Sequence, residues 1–130
     1  MNDKWWRSGM ACALYVASAV FASVAPAATV VCSGQVTQIA WHANTGVLLQ
    51  LDSMNTSVVI CDPSATWTVT GTTLVTTADQ CKMLLSLFLS AKLAGRPLVS
   101  VYFDGDSVPT SGTTWTNWSR ANLRYFAWAD

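Results

Sequence analysis

Within a helix predicted from near Ala78 to Ala94, every position between Cys81 and Ala91 is apolar except Lys82, Ser86 and Ser90, four residues apart. That spacing puts the three on one stripe of a helix and leaves most of its circumference apolar. The ends are signalled as clearly. Thr77 followed three residues later by Gln80 forms a capping box, and Ala94-Gly95-Arg96-Pro97 offers a left-handed glycine and then a residue that cannot continue a helix. A helix with so little polar surface is expected to be buried on more than one side, in its own domain or in an oligomer.

Elsewhere the pattern has the period of strands. Val30 to His42 is strand-forming, with a bend or bulge predicted at Ser33-Gly34. Asn44-Thr45-Gly46 marks a turn, and Val47 to Asp52 alternates Val47, Leu49 and Leu51 against Leu48, Gln50 and Asp52. A second turn at Met54-Asn55-Thr56 leads into Ser57 to Cys61, giving an antiparallel meander. Ala65 to Thr76 is Thr-rich and reads as an extended connection with room for a short edge strand. After the helix come Leu98 to Phe103, a turn at Asp104-Gly105-Asp106, a polar loop from Ser107 to Thr114, and strand candidates at Trp115 to Trp118 and Leu123 to Trp128.

The first 27 residues change the picture of the domain. Lys4 and Arg7 precede an apolar run from Met10 to Val24, and Ala25-Pro26-Ala27 supplies small residues at a cleavage point, the pattern of an export signal removed after Ala27. The run is short for a membrane span, and Val31 before Cys32 is unlike a lipoprotein signal. The expected mature chain, residues 28–130, is one small exported domain, periplasmic or secreted. It keeps five basic residues against six aspartates and has no glutamate. With no basic stripe to neutralise phosphates, nucleic acid is not an expected partner.

Three cysteines, Cys32, Cys61 and Cys81, remain in that oxidising compartment, and three single pairings are open to them. We favour Cys61–Cys81, which brackets the connection from a strand end to the helix's first turn. Closing that loop removes roughly 3 kcal/mol of unfolded-chain entropy. Cys32 is then buried or bonded to another chain. No Cys or His spacing of the kind that holds zinc occurs, and no cofactor motif is present.

Three strands, a helix and two strands fit a mainly β fold with one helix: a small five-stranded OB-type barrel with the helix plugging one end. The alternative is an open antiparallel sheet with one helix packed across it. Ser33-Gly34-x-Val36, Cys61 followed by Trp67, and Ala91 to Pro97 leading into Val101-Tyr102-Phe103 carry a resemblance to the B subunits of subtilase-type and pertussis-like bacterial toxins. Those are OB-fold proteins that form pentameric rings and bind sialylated glycans. The resemblance implies that Ser33, and Tyr102 or Phe103, line a ligand site, and that the chain forms a homo-oligomer. Two features of those subunits have no counterpart: an acidic residue before the serine, and a cysteine in the second strand.

Catalytic chemistry finds little support. The one histidine, His42, is a candidate general base, and Asp104 with Asp106 a candidate carboxylate or cation pair, but a strand end and a turn account for both. The aromatic residues are the better lead. Five tryptophans remain in the mature chain, and Trp115-Thr116-Asn117-Trp118 beside a polar loop offers Trp115 and Trp118 as platforms for a sugar or protein. The sequence is thus read as a non-enzymatic binding module for a glycan or protein. The alternative is an envelope protein, structural or inhibitory, that docks through its apolar helix.

Overall fold

The structure, a computed structural model, describes residues 27–129; the predicted export signal lies outside them but for Ala27. The strands are β1 (Ala28–Gly34), β2 (Val36–His42), β3 (Gly46–Leu51), β4 (Val58–Cys61), β5 (Trp67–Thr68), β6 (Val75–Thr76), β7 (Leu98–Gly105) and β8 (Asn122–Trp128). The helix α1 spans Ala78–Ala94. Strands pair as β1-β7-β8, β2-β3-β4 and β5-β6, all antiparallel within their sheets.

The molecule is therefore mainly β with one helix, in three open sheets rather than a closed barrel, which fits the open-sheet alternative. Two places explain why the ladder does not run on continuously. The predicted first strand breaks at Gly34, whose φ of +113° suits glycine alone and whose missing Cβ makes room for the Asp52 carboxylate. The backbone N–H of Asp52 donates to the Gln35 carbonyl and holds the corner, so β1 enters one sheet and β2 the other. At the far side, β4 reaches the approach to β8 through a single parallel bridge, Val59 to Arg120, with N–H···O bonds from Val59 to Ser119 and from Ala121 to Val59. One bridge is not a ladder.

The Thr-rich connection forms the β5-β6 pair, whereas Trp115 to Trp118, expected as a strand, is loop and turn. That segment's hydrogen bonds go elsewhere. Asn55 donates to the Trp115 carbonyl through Nδ2 at 2.8 Å and accepts from the Trp115 N–H through Oδ1 at 2.9 Å, replacing a partner strand.

The core lies between the sheets and α1. Val47, Leu49, Ile60, Leu98, Val101 and Phe103 are fully enclosed. The helix begins at the expected capping box, Thr77 with Gln80, and ends at left-handed Gly95. It buries one stripe, Cys81, Leu84, Phe88 and Ala91. Phe88 packs on Phe126 with ring centroids 4.9 Å apart, and Lys92 crosses to donate to the Val36 and Thr37 carbonyls of β2. Burial on more than one side is not what the chain achieves by itself: Met83, Leu89 and Leu93 stay exposed, Leu93 by 80%. The Cys61–Cys81 disulfide ties the end of β4 to the helix's first turn, and Cys32 is the free, buried thiol among the described residues.

Candidate functional site

Four side chains around a tight turn make the most developed surface feature. The Ser119 N–H donates to the Thr116 carbonyl, so Asn117 and Trp118 are the turn's central residues. Trp118 has φ +65°, the left-handed region that a turn at this position reserves for glycine. A bulky residue there carries strain of roughly 1–3 kcal/mol, held in place by the surrounding bonds. The Ser119 hydroxyl donates to the Thr116 carbonyl at 2.9 Å and pairs with the Thr116 hydroxyl at 2.8 Å; the Thr56 hydroxyl donates to Asn117 Oδ1 at 3.1 Å. The indole is nonetheless 56% exposed.

Trp118 separates two clefts. The larger, about 610 Å³, is lined by Thr68, Thr70, Asp106, Asn117, Trp118 and Arg120. The Arg120 guanidinium lies 4.1 Å above the Trp67 ring, a cation–π contact that fixes its direction. No carboxylate of the described residues forms a salt bridge with it. The smaller cleft, about 380 Å³, is lined by Gln38, Ala40, His42, Leu48, Ser57 and Trp118, among others. His42 meets Trp118 edge to face at 5.2 Å, and its Nδ1 shares a hydrogen bond with the Thr45 hydroxyl. Trp41, 61% exposed, stands at the same rim. Hydroxyls, amides and one charge of each sign around an exposed indole can hydrogen-bond a polyhydroxylated ligand while the ring covers its C–H face.

The five residues singled out in the sequence do not converge. Ser33 and Tyr102 share the outer face of the β1-β7-β8 sheet, since Cys32 and Val101 pair while pointing inward and Val31 pairs with Tyr102. Tyr102 stands edge to face with Tyr125 at 5.8 Å, under the Arg124 guanidinium at 5.2 Å. Phe103 is fully buried and Trp115 is 3% exposed; the two rings meet edge to face at 5.5 Å inside the core, where they pack rather than present a surface. Trp118 stands alone of the five at the clefts.

The Asp104–Asp106 pair also divides. Asp104 is buried, accepting from the Thr29 hydroxyl at 2.6 Å and from Arg124 Nε at 3.2 Å; Asp106 is exposed and accepts from Ser107. Among the described residues no group of three His, Cys, Asp or Glu side chains is placed to hold a metal, and no helix is long and apolar enough to cross a membrane.

Asn117, Arg120, Gln38 and the Thr68–Thr70 wall escaped the sequence reading. A polar residue in a Thr-rich connection carries no mark of its own, and Arg120 gains its role from Trp67, distant in the chain. No family model, curated protein or solved structure matches the chain.

Proposed function

We propose that this protein is a non-enzymatic binding module that takes a glycan at the Trp118 clefts, working as an exported domain. The observation that carries the reading is Trp118 itself, an exposed indole held where the backbone favours glycine, between walls of hydroxyl and amide groups. Strain retained at a residue whose ring meets His42 on one side yet stays more than half exposed points to use of that ring. The Cys61–Cys81 disulfide supports an oxidising location. Likeness to toxin B subunits belongs to the same reading, on an open rather than a closed strand path. Ser33 and Tyr102 form its second surface.

The deciding variant is Trp118→Gly. Removing the side chain relieves the left-handed backbone, so the thermal midpoint holds or rises, while capture on an array of natural glycans is abolished. Capture that persists in the variant refutes the site; an array on which the intact protein binds nothing refutes the glycan reading.

A second reading, docking on another protein or a second copy through α1, is favoured by exposed Met83, Leu89 and Leu93. Leu93→Glu then abolishes association seen by cross-linking and leaves the fold intact. An unchanged cross-linked species sinks it.

A further inference from the structure

The two clefts on either side of Trp118 are not independent hollows. Both are lined by Asn117 and Trp118, so the indole is a partition that a single extended ligand can straddle. Each side carries directional groups left free by the protein's own bonds. Asn117 Oδ1 is taken by the Thr56 hydroxyl, which leaves its Nδ2 as a donor at the boundary. In the smaller cleft, Nδ1 of His42 is engaged with Thr45, and Nε2 has no protein partner among the described residues. In the larger, Arg120 lies over the Trp67 ring and Asp106 lines the same cleft, one charge of each sign with no salt bridge between them. A cleft with no net charge exerts no long-range pull on a ligand of either sign, and its side chains offer donors and acceptors to hydroxyls.

We propose that the site takes an uncharged, linear oligosaccharide laid across Trp118, with sugar units in both clefts, rather than a single terminal sugar. This rests on the glycan reading above and specifies its ligand class. The ring stacks on the unit at the partition, and the clefts fix the units before and after it. Affinity therefore depends on chain length, because a monosaccharide fills one side only.

The test uses three uncharged series of one to six units, β-1,4-linked glucose, α-1,4-linked glucose and β-1,4-linked N-acetylglucosamine, titrated into the intact protein by calorimetry and followed by tryptophan fluorescence. In the series that fits, the dissociation constant falls about tenfold or more between one unit and four, equivalent to at least roughly 1.4 kcal/mol. Gln38→Trp fills the smaller cleft and Thr70→Trp the larger; both positions are exposed, and unchanged circular dichroism shows that the variants fold. Each variant removes the gain from added units, and the double variant removes binding. Equal affinity for one and four units overturns the straddling ligand while leaving a glycan site intact. Length-dependent binding that neither filled cleft alters overturns the placement. Binding confined to acidic glycans on the array, with none to these series, overturns the ligand class, and no glycan binding of any kind overturns the underlying reading with it.

Discussion

Cutting the Cys61–Cys81 bridge is the perturbation whose size the structure fixes best. The two cysteines are 20 residues apart in sequence and both are fully buried, one ending β4 and the other in the first turn of α1. Closing a loop of that length in the unfolded chain removes about 3 kcal/mol of its entropy. Replacing both residues by alanine restores that entropy and removes two buried sulfurs, which adds a smaller packing loss. For a domain of this size each kcal/mol moves the thermal midpoint by about 4–8 °C, so the double variant melts roughly 12–24 °C lower. The assay is urea unfolding of the oxidised protein and the double alanine variant, followed by tryptophan fluorescence. The variant's midpoint falls, and its m-value rises because its unfolded chain is free to expand. Dithiothreitol shifts the intact protein toward the variant and leaves the variant where it was. A stability loss under about 1 kcal/mol with equal m-values refutes the reasoning, since it means the unfolded chain already holds the two ends together.

Two further outcomes follow from the packing. Phe88→Ala, which empties a fully enclosed position against Phe126, costs about 3–5 kcal/mol in chemical denaturation, far more than a like change at exposed Leu89. Burial pushes the Cys32 thiol up, so the folded state holds the thiol proton more tightly than the unfolded state. That contribution is complete below the ordinary cysteine value of about 8.5 and is lost as pH rises toward the higher folded value. Stability measured from pH 7.5 to 9.5 then declines more steeply in the intact protein than in Cys32→Ala, and equal slopes would show that burial does not hold the proton.

The helix, its caps and the disulfide were legible in the sequence because each rests on neighbours or on one short loop. Thr77 and Gln80 make their two bonds within four residues, and Gly95 ends the helix by its own backbone freedom. The alternating strands were legible for the same reason, as was the bend at Gly34, though its consequence was not. Whether a bent strand stays in one sheet or passes between two depends on which strands meet each half, here β7 and β3. Trp115 to Trp118 has the composition of a strand, yet Asn55 takes up the Trp115 backbone groups and the turn at Asn117-Trp118 follows. The residues had marked the aromatic content without its orientation: Phe103 and Trp115 face each other inside, while Trp118 faces out.

What the sequence determined by itself was therefore local: a capped helix, a set of short strands, a mainly β class and the pairing of two nearby cysteines. The tertiary structure decided which strands share a sheet, that the sheets stay open, and which tryptophan stands between two clefts. The physical reason is that periodicity and capping act over a few residues, whereas sheet partners, the stacking of Arg120 on Trp67 and the exposure of Trp118 are set by contacts between segments far apart in the chain.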